Sequence, residues 1–308
     1  MFMAKGEMLG YVKWWVGSVF GSKAPLVNTI IIHYGCNLRC KHCSIFNNDI
    51  ETVGKSKLSY EEIENDLKLQ FNKGARIAYF EGGEPTMWSD DGHDLGDLIK
   101  TAKNIGYNNI GYTTNGMNRF FTESDVISVS LDGPKEIHDM IRGEGVFDKL
   151  MENISATEFD GSIYANVVLQ KDNIEYIAET ANIVNENEKL AGVIFNFITP
   201  PPNNIKLTTE EKKDAVKKIM DLKKNGYPIL NSDRGLQLLA EEDWSKKCPY
   251  NVTVFLTPDG SHHNGCPMQN TPSCKECGFA AVREYYLIKR GNLSTIREMS
   301  SMFAMSKK

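Results

Sequence analysis

The chain has 308 residues, 41% of them hydrophobic and 24% charged, with a formal net charge of −5. This composition describes a folded, mildly acidic protein with ample apolar material for a core. It excludes a disordered chain, a coiled coil, a collagen-like repeat and a small disulfide knot. General nucleic-acid binding is disfavoured, because neutralising phosphates takes concentrated Lys and Arg, and no apolar run approaches the ~20 residues that cross a bilayer.

Residues 8–20 (MLGYVKWWVGSVF) form the first apolar stretch, too short to span a membrane and interrupted by Lys13. As a helix it places Met8, Val12, Trp15, Val16 and Val19 on one face. Two readings stand: a leading helix packed on the main domain, or an interfacial helix with Trp14 and Trp15 at headgroup depth, giving a peripheral membrane contact through residues 8–20.

Strand-like runs then follow at 27–34, 76–80, 109–113, 125–131, 163–169 and 192–198. Helical patterns separate them at 60–72, 95–105, 147–157 and 174–187, and a last one covers 209–225. Ser59 with Glu62 three residues later is a capping box for the first of these. Strands alternating with helices of this length predict βαβ units and a parallel sheet. Six units are too few for a closed eight-fold barrel, so the expected fold is α/β, an open, partial (β/α)6 TIM-like barrel with a small cysteine-rich C-terminal extension. The expected divisions are 1–26 for the leading helix and lead-in, 27–226 for the barrel and 227–308 for the extension. Pro200, Pro201, Pro202, Asn203 and Asn204 read as a loop within the barrel. The segment 279–308 reads as a mixed polar tail over one end of the barrel.

The seven cysteines fall into two groups: Cys36, Cys40 and Cys43, then Cys248, Cys266, Cys274 and Cys277. An odd number at short spacings, with no secretory signal in the chain, fits a reducing cytoplasm and metal ligation rather than disulfides. The first group follows directly on the first strand. Three thiolates spaced x3 and x2 can hold three corners of a [4Fe–4S] cubane and leave the fourth iron open. Structural zinc normally takes four ligands, and His42, adjacent to Cys43, is an awkward fourth.

At these residues the chain resembles the radical SAM superfamily, whose Cx3Cx2C motif lies in the loop after the first strand. Further matches follow in chain order. Glu81-Gly82-Gly83-Glu84-Pro85 is similar to the family's GGEP element, Thr114-Asn115-Gly116 to its TNG element, and Ser130-Leu131-Asp132-Gly133 with His138 and Ile141-Arg142-Gly143 to its S-x-DG…H…RG segment. The resemblance covers roughly residues 27–198. It implies an open iron binding the amino and carboxylate groups of S-adenosylmethionine (SAM), with a 5′-deoxyadenosyl radical released on electron transfer. Gly82, Gly83 and Glu84 are then expected at the methionine ammonium group, Asn115, Ser130 and Asp132 as hydrogen-bonding partners of SAM, and Arg142 at a carboxylate. Asn166 on the fifth strand is a weaker candidate.

Cys248, Cys266, Cys274 and Cys277 could close a full coordination shell around an auxiliary [4Fe–4S] cluster or a Zn(Cys)4 site. Residues 252–260 between them read as strand, turn and strand, and His262 with His263 as an exposed hairpin tip. The spacing resembles twitch or shortened SPASM extensions, which favours iron–sulfur; a full SPASM domain has more cysteines. The expected activity is therefore reductive SAM cleavage, driven by a reductant such as ferredoxin or flavodoxin, on an unactivated carbon of a peptide or of a lipid or isoprenoid. A short, weak resemblance to the adenosyl-hopane synthase group, in Pro25-Leu26-Val27 and the tail after Cys277, supports the lipid branch. The alternative is an iron–sulfur electron carrier or scaffold without radical catalysis. A C-terminal zinc module for RNA finds only Lys246 and Lys247 as a basic pair.

Overall fold

The computed structural model describes residues 5–47, 55–200 and 204–305. Of the proline-rich loop, Pro201, Pro202 and Asn203 lie outside the described residues.

Helix α1 (Lys5–Val19) leads into six parallel strands: β1 (Val27–His33), β2 (Ile77–Gly82), β3 (Asn109–Thr114), β4 (Val126–Ser130), β5 (Ser162–Leu169) and β6 (Leu190–Phe197). Between β1 and β5 lie α2 (Tyr60–Lys73), α3 (Leu95–Ile105), α4 (Lys135–Arg142) and α5 (Val146–Ala156), with α6 (Ile177–Glu186) and α7 (Thr209–Lys224) either side of β6. Neighbouring strands pair in chain order and in parallel, as a run of βα units requires. The predicted capping box is present at the start of α2: the Ser59 hydroxyl accepts from the Glu62 amide while the Glu62 carboxylate accepts from the Ser59 amide.

Period-two alternation sorts the strands into two faces. Ile30 and Ile32, Ala78 and Phe80, Ile127 and Val129, and Val193 and Phe195 are fully buried against Ile63, Leu67, Leu98, Leu150 and Ile219 of the helices, forming the main core. The opposite face points inward and carries Thr29, Tyr79, Ser128, Asn166 and Asn196, which line a cavity of about 1850 Å³. Closed barrels of this class fill their interior with branched apolar side chains; this one keeps its interior hollow and polar at mid-height.

The C-terminal extension joins the same sheet. After α8 (Asp233–Leu239), strand β7 (Thr253–Leu256) pairs in parallel with β1, and β8 (His262–Asn264) returns antiparallel to it. The expected strand–turn–strand is thus present, with the histidines in β8 rather than at the tip. His262 Nε2 lies 2.7 Å from Asp66 Oδ1 on α2, which fastens the hairpin to the barrel.

The tail is more ordered than its composition suggested. It forms α9 (Ala280–Lys289) and α10 (Leu293–Met305). Gly278 seats α9 against β6: the Phe197 amide donates to the Gly278 carbonyl at 3.0 Å, and a Cβ on Gly278 would lie 2.3 Å from the Phe197 carbonyl oxygen. Helix α9 brings Ala281, Tyr285 and Ile288 to the wall of the cavity.

Helix α1 is rotated from the expected face. Trp14 is buried and donates to the Ala24 carbonyl, Trp15 donates to the Ile288 carbonyl, and Val12 and Val16 point outward. Each indole N–H finds a carbonyl partner there, which fixes both rings against the main domain.

Candidate active site

The sequence-selected residues gather where β1 to β5 end. Cys36, Cys40 and Cys43 sit in the loop after β1, all half-buried, free of disulfides and bordering the cavity. The Gly82–Gly83 pair lets the end of β2 lie directly on this loop. A Cβ on Gly82 would come within 2.3 Å of the His33 carbonyl oxygen, and one on Gly83 within 2.2 Å of the Gly35 carbonyl oxygen. The Gly83 and Glu84 amides donate to the carbonyls of His33 and Gly35, each at 2.9 Å.

Glu84 is fully buried, and both carboxylate oxygens are occupied. Oε1 accepts from the Thr114 hydroxyl at 2.7 Å and the Thr86 hydroxyl at 2.6 Å; Oε2 accepts from the Asn115 amide at 2.7 Å. It therefore braces the ends of β2 and β3 together. Asn115 carries the brace onward, its Nδ2 donating to Asn37 Oδ1 at 2.8 Å and reaching Cys36 Sγ at 3.7 Å.

On the other flank Asp132 is fully buried. Its Oδ2 accepts from Arg142 Nε at 2.7 Å and its Oδ1 from the Val168 amide at 3.1 Å, and Arg142 Nη1 reaches Cys40 Sγ at 3.9 Å. His138 Nδ1 accepts from the Asp132 amide, and burial holds its imidazole down at about 4, so it is neutral. His42 is likewise kept below its ordinary range by burial, and stands 3.9 Å from Asp132. Ser130 lines the cavity on β4, and Asn166 is held by Asn196 Nδ2 at 2.8 Å.

Burial pushes the Cys40 thiol up to about 11, with the Arg142 cation opposing, and raises Cys36 as well. Such thiols release their protons when a metal takes them. Among the described residues no three His, Cys, Asp or Glu side chains converge closely enough to hold a single metal ion. Three thiols beside a cavity, with an amide and a guanidinium donating to the sulfurs, form a donor set that fits an anionic iron–sulfur cluster with one open side.

The second thiol group borders the same space. Cys248 and Cys266 line the cavity, and Cys248 is pushed up to about 12, first by burial and then by Cys277, Cys266 and Cys274 nearby. Arg283, buried and stacked over Trp244 at 4.3 Å, donates to Cys277 Sγ at 3.4 Å. Sequence reading did not single out Arg283: six residues from a cysteine, it carries no motif. Nor did it single out Glu81 for its own side chain. That carboxyl faces the cavity, has no hydrogen-bond or ion-pair partner among the described residues, and is pushed up to about 7 by burial.

The family model described as the radical SAM superfamily matches residues 30–184, half of the chain. The chain belongs to the radical SAM superfamily. Among curated relatives, it is 32% identical over 173 residues to the cysteine-type anaerobic sulfatase-maturating enzyme of Clostridium novyi, covering 49% of this chain and 41% of that one. It is 29% identical over 212 residues to the Fe-coproporphyrin III synthase of Methanosarcina barkeri, covering 63% and 51%. The mycofactocin maturase MftC of Mycolicibacterium smegmatis is 32% identical over 177 residues, covering 52% and 42%. These matches span about half the length of the relatives. Among solved structures, anSMEcpe with bound AdoMet superposes with a TM-score of 0.63 at 18% identity, covering 92% of this chain and 84% of that one. Streptococcus suis SuiB bound to S-adenosylmethionine gives 0.63 at 15% identity, covering 91% and 70%. The superposition over nearly the whole chain agrees with a partial-barrel fold, and membership of the family implies a [4Fe–4S] cluster and SAM as cofactors.

Proposed function

We propose that Cys36, Cys40 and Cys43 hold a [4Fe–4S] cluster at which SAM is reductively cleaved, and that a substrate in the barrel cavity is modified at an unactivated carbon. The observation that carries this is the convergence of Cys36, Glu84–Asn115 and Asp132–Arg142–Cys40 at one end of a hollow barrel. When bound, the cluster would supply one electron to the sulfonium of SAM, releasing methionine and a 5′-deoxyadenosyl radical. The chain's own residues do the rest. Glu84 and Asn115 hold the loop that carries Cys36, and the Asp132–Arg142 pair fixes the side that carries Cys40. Gly82 and Gly83 at the end of β2 and Ser130 at the end of β4 line the cavity and would be available to SAM. The helix α9 along β6 and the packed helices outside limit water at the radical.

Cys248, Cys266, Cys274 and Cys277 are proposed to hold an auxiliary [4Fe–4S] cluster, with Arg283 beside it as a fixed cation; zinc is the alternative. A reductant such as ferredoxin or flavodoxin would deliver the electrons. SuiB has been solved bound to the precursor peptide SuiA, so peptide and lipid or isoprenoid both stand as substrate classes for this cavity. An electron-carrier role leaves the hollow barrel without a use.

The test is anaerobic incubation of iron-reconstituted protein with reductant and SAM. Release of 5′-deoxyadenosine that disappears in Cys40→Ala is the expected result. A protein that carries its full iron yet neither cleaves SAM nor changes its EPR spectrum on SAM addition sinks the reading.

A further inference from the structure

The cavity does not stop at the thiols. Its lining includes the ends of strands, at Glu84, Asn115 and Ser130, and also their beginnings, at Val27, Ile77 and Val126. An eight-residue strand such as β5 rises about 25 Å, and a tilt of roughly 36° leaves about 20 Å along the barrel axis. The cavity therefore runs from the cysteine loop to the opposite end of the barrel.

Its lower half differs in character from the upper. Two apolar clusters face each other there without merging: Val27, Ile77 and Ile288 on the β1–β2 and α9 side, Val126, Ile194 and Leu230 on the β4–β6 side. Both sets line the cavity, together with Tyr79, Tyr164 and Tyr285 of the same clusters and Asn109 at the start of β3, so the space lies between them. Facing apolar walls in a folded interior normally close on one another, because an unfilled apolar gap forfeits dispersion contacts. A hydrocarbon chain would fill this gap with dispersion contacts and needs no polar partner of its own.

The far mouth extends the pattern. Val12 of α1 and Leu293 of α10 both line it while being 49% and 80% exposed, and Phe20 just beyond α1 is 86% exposed. Lys103, Asp125 and Asp160 line the cavity at the other side of this mouth. A rim apolar on one side and charged on the other suits a bilayer surface.

Resting on the radical SAM reading above, we propose that the lower barrel is a channel for the hydrocarbon chain of a membrane lipid. The chain would enter past Val12 and Leu293 and bring a carbon up to the polar, thiol-lined end. One leaflet of a bilayer is about 15 Å of hydrocarbon and the whole barrel about 20 Å, so a single acyl or isoprenoid chain entering at the far mouth passes through the lower barrel and reaches toward the polar end.

The test uses 11-(dansylamino)undecanoic acid as the probe, titrated into the reconstituted full chain, with co-sedimentation on phosphatidylcholine vesicles as a second arm. Val126→Phe and Ile77→Phe fill the channel from opposite walls, thermal melts establishing that each variant is folded. Leu293→Asp, at an exposed position, alters only the rim. The expected results are saturable probe binding with a blue-shifted emission, at least tenfold weaker in both filled variants, and vesicle binding at least threefold weaker in Leu293→Asp. Probe affinity unchanged by both filled variants, or no saturable binding by the wild type, overturns the channel. Wild-type protein that does not sediment with vesicles overturns entry from the bilayer. 5′-Deoxyadenosine release is followed in the same samples. Probe binding without release removes the radical reading and leaves the channel; release without probe binding does the reverse.

Discussion

The Glu84 carboxylate accepts the Asn115 amide at 2.7 Å, and Asn115 in turn reaches the sulfur of Cys36. Two motifs thirty-one residues apart in the chain thereby become one support for the first cysteine. Glu84 is in this geometry a brace: its Oε1 is taken up by Thr86 and Thr114, and its Oε2 accepts from Asn115.

Replacing Glu84 by Ala should accordingly cost about 3 kcal/mol of stability, because the donors of Thr114 and Asn115 are left buried and unpaired. Urea denaturation measures it. A loss below about 1 kcal/mol would mean that water enters and replaces the brace.

Asp132 and Arg142 form a buried pair at 2.7 Å. Asp132→Ala strands the guanidinium and is expected to cost about 3–5 kcal/mol, whereas removing both charges together should cost less than the sum. A double-mutant cycle by chemical denaturation gives the coupling, and strict additivity would show that the pair does not interact.

The Glu81 carboxyl is pushed up to about 7 by burial. The folded protein then holds this proton at a pH where the unfolded chain, titrating near about 4.3, has released it. Stability should therefore fall between about pH 4.5 and 7 and level off above. The contribution is at most about 3.5 kcal/mol, and less because the carboxyl borders the cavity. Glu81→Gln should remove this part of the pH dependence, read from denaturation midpoints at pH 5 and pH 8. An identical pH profile in wild type and variant would refute it.

Gly278→Ala should loosen α9 from β6, since the new Cβ meets the Phe197 carbonyl oxygen at 2.3 Å. A destabilisation of about 1–3 kcal/mol is expected, together with faster hydrogen exchange at the Phe197 amide. Unchanged protection of that amide would show that the contact relaxes without cost.

Metal analysis separates the two thiol groups. With iron–sulfur clusters at both, the reconstituted chain should carry about eight irons, falling to about four in a Cys248→Ser, Cys266→Ser variant. About four irons and one zinc in the wild type would assign zinc to the second site.

Local chemistry made much of this molecule legible in advance. The barrel helices α2 to α7, apart from α4, and all six strands were readable because their hydrophobic periods are clean and their caps, such as Ser59 with Glu62, are local devices. The family was readable from Cys36, Cys40 and Cys43 because the spacing of a motif is a property of adjacent residues. The inward face of α1 was misjudged by sequence reading. Apolar pattern alone ranks Val12 and Val16 with Trp15, and only the carbonyl partners of Ala24 and Ile288 decide that Trp14 and Trp15 turn inward.

What the sequence by itself determined is the alternation that makes a partial barrel and the placing of seven cysteines in two groups, the first in a family motif. Only the tertiary structure decided that Asp132 is spent on Arg142, that β7 extends the barrel sheet beside β1, and that α9 docks along β6. It also decided that the interior remains hollow along its length. The physical reason is the same in each case. Motifs and periods are set within a few residues of chain, whereas the partner of a buried charge, the occupant of a strand edge and the filling of a barrel depend on groups that folding brings from far apart.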